Sequence, residues 1–465
     1  MIITLLAAGI AIISRPLSLR AERVDGAQPS TPPDTSALVA LRAAILQSNP
    51  ELIARRAAVA AAQARLDAAG FALPLVLSGE VEEVPRGFNV ARAGSARITV
   101  DRELVSGGRR AAAWSLASAD VAAVSAGLYV AEQRVMALGV QALTRAAGWS
   151  AIARRLEDED STLSSAEGSV RARFAVGGAR YVDVLRLRTE RLRVEAEQAS
   201  AVTEARIARQ ALEALIAGRD ALPSSAQVFL DSLIGERIGA FTAVDTAPGP
   251  ARAQRVQLPP PPDIDSLLVA SGVLRVLDAS VTQAQAASQL LLANRRSRLT
   301  GFLGAQRFLG DGGNFTLGAV AGASISLPFT AGRANATAGA AAQSDVTAAL
   351  AERSATLSSV RTELLAARAR YEAARARFAV YNAALLAGAR EERESALAAY
   401  RAGTLTLIEL LDFERALAAA EIDRLTSRLD AATALTDLLT GATAPPTRIQ
   451  RASTRSSVSR SPNDP

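Results

Sequence analysis

The chain has 465 residues, a formal net charge of +6, no cysteine and no histidine. Those absences exclude disulfides, thiol chemistry, Cys- or His-ligated metals and every catalytic triad that needs an imidazole. Hydrophobic content is 49% but aromatics are only 4%, so alanine dominates the apolar side; that favours slim, closely packed helices over a bulky core.

The 52 basic residues are all arginine, and the isoelectric point is near 10.4. They are interleaved with Glu and Asp along helical stretches. Solvated helix faces explain that pattern better than a nucleic-acid partner, and none is expected.

In chain order, the apolar run Ile2 to Ile13 is too short to span a bilayer, which takes about 20 helical residues. It resembles the hydrophobic centre of a signal peptide. The basic stretch that should precede it is missing, since Arg15 follows; the start is misassigned or the signal atypical. A buried N-terminal helix is the alternative. Residues 1–35 are read as export segment and disordered lead. Ser36 to Ser48 predicts a short amphipathic helix, and Asn49-Pro50-Glu51 opens another that runs to about Gly70.

Residues 73–104 change period. Leu75, Leu77 and Val81 alternate with Ser78, Glu80 and Glu82; after a loop, Ile98, Val100 and Leu104 alternate with Thr99, Asp101 and Glu103. This predicts a hairpin with one apolar and one polar face. No proline occurs from Arg109 to Val176, which predicts one helix of roughly 100 Å that must lie along partners. Gly177-Gly178 ends it, and a second helix runs to about Ala217.

Residues 219–265, rich in proline, read as a linker packed against the side of the body. The plan then recurs: a helix from Leu274 to Arg296, a hairpin over 299–327, a long helix from Arg333 to Arg401, a break at Gly403 and a last helix to about Thr440. Residues 442–465 read as a disordered tail. The landmarks repeat at a nearly constant offset: 226 residues separate Gly177 from Gly403, and 224 separate Gly108 from Gly332. Residues 36–218 and 266–441 are therefore read as two tandem copies of one unit.

Strands with one apolar and one polar face suit the wall of a membrane barrel, with lipid outside and water inside. They equally suit a soluble sheet packed on helices. In a membrane four strands cannot stand alone, because open edges leave unpaired N–H and C=O groups. Two chains make an eight-stranded barrel filled by its side chains; three make twelve strands and a lumen.

The chain resembles the outer-membrane efflux family typified by TolC over roughly residues 36–441. Asn49-Pro50-Glu51, Ile325 to Phe329 ahead of Gly332-Arg333, and the turn regions Phe174 to Leu185 and Tyr400 to Phe413 carry the resemblance. It implies a mainly α fold with a four-stranded β contribution in each of three identical chains. These form a 12-stranded transmembrane β-barrel continued by a 12-helix periplasmic tunnel. It also implies a passive exit duct at the outer membrane, without catalysis or cofactors, of a tripartite efflux or type I secretion system. Its partners are outer-membrane lipid, a periplasmic adaptor and, through it, an inner-membrane pump.

The resemblance assigns roles to particular residues. Val176, Gly177 and Gly178, with Ala402, Gly403 and Thr404, are the turns that dock the adaptor. Glu409 and Asp412, one helical turn apart, form acidic rings at the aperture with Asp183 nearby, favouring cations. A solvated helix face is the simpler reading of the same acids. Strand alternation, not the resemblance, places Glu80, Glu82, Asp101 and Glu103 in the barrel lumen; Glu83 and Arg102 break strict alternation, and a position near the membrane interfaces is the alternative. The family's arginine two residues after the second turn glycine is replaced by Leu405; Arg180 or Arg186 is the expected substitute. A pore-less periplasmic adaptor or coiled-coil scaffold is the alternative, and it does not explain two strand hairpins. An enzyme is the third possibility. Neither a P-loop nor a dinucleotide fingerprint occurs.

Overall fold

The computed structural model describes residues 33–71, 75–82, 95–105, 108–217, 224–242, 258–309, 315–326 and 332–441. The apolar run Ile2 to Ile13, the lead up to residue 32, the loop at 83–94 and the tail at 442–465 lie outside them.

The described elements are α1 (Pro33–Ser48), α2 (Pro50–Gly70), β1 (Val76–Glu82), β2 (Ser95–Val105), α3 (Arg109–Ala175), α4 (Tyr181–Ala217), α5 (Ser224–Thr242), α6 (Ile264–Ala270), α7 (Gly272–Asn294), β3 (Arg298–Leu309), β4 (Phe315–Ser326), α8 (Gly332–Val380), a π-helical turn (Tyr381–Leu385), α9 (Leu386–Arg401) and α10 (Leu407–Gly441). The fold is mainly helical with one small sheet. Most boundaries fall within a few residues of those read from the sequence. Two differ in kind. The stretch read as a linker contains the 19-residue α5, and the second long helix is interrupted by the π turn.

The chain divides into two compact units. Of the described residues, those within 33–54, 129–273 and 357–441 make the first and those within 55–128 and 274–356 the second. In the second, all four strands form one antiparallel sheet in the order β1-β2-β3-β4. The β2–β3 pairing, from Ser95 opposite Phe308 to Val105 opposite Leu299, joins the two hairpins. Helical segments of this unit pack through small side chains: Ala62, Ala119, Ala286, Ala293 and Ala342 are buried. Arg65–Asp120 at 3.3 Å and Arg353–Asp278 at 2.6 Å cross between helices.

The first unit is built on coiled-coil spacing. In α4, Leu187, Val194, Ala201 and Ala208 are buried at intervals of seven. In α8, buried Val360, Leu364, Ala367, Tyr371, Ala374 and Phe378 follow at alternating intervals of four and three. That is the heptad seam of packed helices. Among the residues whose burial is described, the next buried one on this seam is Leu386, eight after Phe378 rather than seven. The π turn lies between the two. Its i→i+5 bonds take up one extra residue and keep the seam on the same side.

Local chemistry fixes the helix starts. Asn49 caps α2: its Oδ1 accepts from the amides of Glu51 (3.0 Å) and Leu52 (3.3 Å), and Pro50 fills the first position, where no amide is needed. Its Nδ2 donates to the Leu215 carbonyl at 2.9 Å, so the cap also ties α2 to α4.

Candidate functional site

The two turns that close long helices are built alike. After α3, the Gly178 amide donates to the Arg173 carbonyl (2.8 Å) and the Gly177 amide to Phe174 (3.0 Å); after α9, Thr404 donates to Ala399 (3.0 Å) and Gly403 to Tyr400 (3.0 Å). This paired pattern is the Schellman motif. Gly177 and Gly403 both sit at φ of 76°, a left-handed value that any Cβ would strain. Val176, Gly177, Gly178, Ala402, Gly403 and Thr404 are all exposed. Arg173 donates to the Tyr400 hydroxyl at 2.8 Å, so a side-chain bond ties the end of α3 to the end of α9. Phe174 and Tyr181 pack across the first turn with ring centres 5.5 Å apart.

The acids singled out in the sequence have unequal surroundings. Glu409 is turned back onto the start of α10. Its carboxylate accepts from the Thr406 amide (2.8 Å) and hydroxyl (2.7 Å), while Thr406 Oγ1 accepts from the Glu409 amide at 3.3 Å. This is a reciprocal capping box. The Thr406 bonds hold the Glu409 carboxyl below its ordinary range. Asp412 pairs with Arg415 at 3.0 Å, and Arg415 also reaches Glu190 of α4 at 2.9 Å. Asp183 meets Arg180 at 3.4 Å, within one turn. Thus the structure pairs Arg180, one of the two expected substitutes, with Asp183; the tie between the turns comes instead from Arg173 and Tyr400, which the sequence reading did not select.

In the sheet, the register sorts the side chains. Leu77 lies opposite Val100, Gly79 opposite Ile98 and Val81 opposite Ala96; across the other joints Val100 lies opposite Leu303 and Leu303 opposite Ala321. These residues share one face. Leu77 is 72% exposed, Leu303 65% and Leu317 76%. The opposite face carries Ser78, Glu80, Glu82, Arg97, Thr99, Asp101, Glu103 and Gln306. Glu80 pairs with Arg97 at 3.6 Å, Ser78 donates to Asp101 at 2.7 Å, Ser95 to Glu82 at 3.1 Å and Arg109 to Glu103 at 2.7 Å. So Glu80, Glu82, Asp101 and Glu103 lie on one face, as the alternation predicted. Phe302 also lies on this face, against Gly322, where no side chain would fit.

Two residues that the sequence reading missed hold the first unit together. Tyr371 is fully buried in α8 and donates to the Pro259 carbonyl at 2.7 Å; burial pushes its hydroxyl up to about 12. Arg428 of α10 donates to the Phe241 carbonyl at 3.1 Å and stacks over that ring at 5.4 Å, while burial lowers its guanidinium to about 10. The spacing Leu230, Leu233/Ile234, Ile238, Phe241 is helical, and it was the available signal for α5. Among the described residues no group of three or more Asp, Glu, His or Cys is placed to hold a metal.

The four-stranded sheet, whose edges are unpaired among the described residues, and the long, heptad-packed helices make the fold of outer-membrane channel proteins. OprN, an outer-membrane channel, superposes with a TM-score of 0.67 at 19% identity over 88% of this chain and 90% of its own. The CmeC outer-membrane channel of Campylobacter jejuni gives 0.66 at 13% identity over 96% and 98%. The open state of the MtrE outer-membrane channel of Neisseria gonorrhoeae gives 0.61 at 18% over 88% and 89%. No protein-family model and no curated protein sequence matches the chain.

Proposed function

We propose that this chain is the outer-membrane channel of a tripartite efflux or type I secretion system, a passive duct from periplasm to exterior. The observation that carries the reading is the sheet. It has four strands, edges β1 and β4 that pair with nothing among the described residues, one exposed, largely apolar face interrupted by Arg102 and Arg307, and one face that carries the acids and hydroxyls together with Val76, Phe302 and Phe308. In water such an apolar face is a liability; in a bilayer it is the required surface, provided the edges are closed. Three copies close them with twelve strands, placing Glu80, Glu82, Asp101 and Glu103 in the lumen. The helices then continue the barrel as a tunnel, and the two halves of the chain act as tandem copies of one unit. The shared fold supports this reading over a pore-less adaptor. Exposed apolar residues on the long helices, such as Leu138, Leu192, Ile207 and Leu365, suit burial against neighbouring copies.

The matched turns at Gly177 and Gly403 are the adaptor-docking ends, where exposed backbone and small side chains admit a partner's helical tips. At the aperture, Glu409 is the stronger candidate for charge selectivity: its carboxylate is held by the neutral Thr406 and keeps its charge, whereas Asp412 and Asp183 are each paired with an arginine.

Purified protein in a planar bilayer is expected to give stepwise, cation-selective conductance. Glu409→Gln combined with Asp412→Asn should lower that selectivity. A protein that stays monomeric in detergent and never conducts would sink the proposal.

A further inference from the structure

Charge is distributed unevenly between the two ends of the sheet. Because the strands are antiparallel, β1 starts, β2 ends, β3 starts and β4 ends at the same end. Four stretches there, 68–76, 102–110, 294–299 and 326–333, join the sheet to α2, α3, α7 and α8. Arg102, Arg109 and Arg110 lie around the end of β2, Arg295, Arg296 and Arg298 at the start of β3, and Arg333 at the start of α8; Glu103 is the only acid in these four stretches. That excess of six equals the formal net charge of the entire chain. The stretches at the opposite end, 83–94 and 310–314, hold Glu83 and Asp311 against Arg86 and Arg92 and carry no net charge.

The one acid is already taken, by Arg109 at 2.7 Å. Arg102, Arg110 and Arg296 are exposed, and Arg102 stands on the largely apolar face beside exposed Leu104. Arg110 donates to the Gly70 carbonyl, which brings the end of α2 to the start of α3. Two aromatic side chains are exposed beside this joint: Phe71, directly after α2, at 74%, and Trp114, one helical turn beyond Arg110, at 50%. Tryptophan favours the boundary between hydrocarbon and headgroups, where its ring is in the apolar layer and its N–H meets water. Arginine at the same boundary lays its alkyl stem along the apolar layer and matches phosphate oxygens with its planar fork. Clustered cations are drawn to a surface of negative lipids, an attraction that a zwitterionic surface lacks.

We propose that the helix-side end of the sheet is a collar that binds the headgroup phosphates of anionic phospholipids, with Arg102, Arg110 and Arg296 as phosphate contacts and Trp114 as the interfacial anchor. The collar rests on the reading of the sheet as a membrane wall and adds the class of lipid that it selects.

Trp149→Phe leaves Trp114 as the only tryptophan of the full-length chain. This parent protein is reconstituted in phosphatidylcholine vesicles at low salt, with rising fractions of either phosphatidylglycerol or phosphatidylcholine brominated on the acyl chains. Both lipids should quench Trp114. Half-quenching should need at least about fivefold less phosphatidylglycerol, the factor for one arginine held at an anionic surface. Arg102→Gln, Arg110→Gln and Arg296→Gln together should bring the two curves into coincidence. Arg102→Gln alone, at an exposed strand position, should narrow the gap and serves if the triple variant does not fold. Equal quenching by the two lipids in the parent, or a preference unchanged in the folded variants, overturns the proposal. Quenching by neither lipid places Trp114 away from the interface and overturns it as well. Stepwise conductance in pure phosphatidylcholine alongside any of those results removes the collar and leaves the channel; absence of both conductance and quenching removes the two together.

Discussion

Single residues set the two turns. At Gly403 a φ of 76° forces the left-handed region, with no side chain nearby to obstruct a methyl group. The cost of Gly403→Ala is therefore backbone strain alone, about 1–2 kcal/mol. It should appear as a lower thermal midpoint and faster amide exchange at Thr404, whose bond to Ala399 closes the turn. An unchanged midpoint and exchange rate would show that the turn does not need the left-handed residue. Tyr371 makes a pH-dependent contribution. Its folded value is raised from the ordinary 10 to about 12, so the neutral hydroxyl is favoured in the folded chain. Its contribution is complete below pH 10 and is lost as pH rises from 10 towards 12. Alkaline unfolding of the wild type should begin in that window. Tyr371→Phe should be less stable at neutral pH by about 1 kcal/mol, from the lost Pro259 bond, yet less sensitive to alkali. Equal alkaline sensitivity in the two proteins would refute the assignment.

At the scale of elements, the heptad seam and the π turn account for each other. Buried positions in α8 run to Phe378, and the seam resumes at Leu386 one residue late. Each residue in an α-helix turns the face by about 100°. A regular helix through 381–385 would carry Leu386 off the seam. Deleting Asn382 should convert the π turn to α geometry and leave Leu386 seven residues after Phe378. That variant is expected to keep its thermal midpoint within a few degrees. Deleting Ala366 instead would rotate Leu364 and everything before it against Ala367 and the rest of the seam. A large drop or loss of folding is expected there, and equal effects from the two deletions would remove this account.

For the whole molecule, the decisive feature is that the sheet ends in two strands whose outer edges are unpaired among the described residues. An edge strand is a template for another chain, and the absence of cysteine makes introduced thiols specific probes. A double variant with Leu77→Cys on β1 and Ala321→Cys on β4 should crosslink between chains in membranes. The products should be dimers and trimers, with no species above trimer. Monomers alone, or an open ladder of larger species, would contradict closure by three copies.

Periodicity alone settled much of this protein. The alternation in 75–82 and 95–104 fixed which side chains share a face of the sheet, because a strand's side chains repeat every two residues. Gly177 and Gly403 marked the helix reversals, because only glycine tolerates the left-handed turn without strain. Local signals were also present that the reading passed over: Thr406 and Glu409 have capping-box spacing, and Leu230 to Phe241 has helical spacing. Other features were set only by the fold. The partners of Arg173, Tyr371 and Arg428 lie 227, 112 and 187 residues away in sequence, and no local pattern encodes such pairings. The same holds for the joint between β2 and β3. Spacing along a chain dictates which way a side chain faces, but what it then meets depends on segments brought together from far apart.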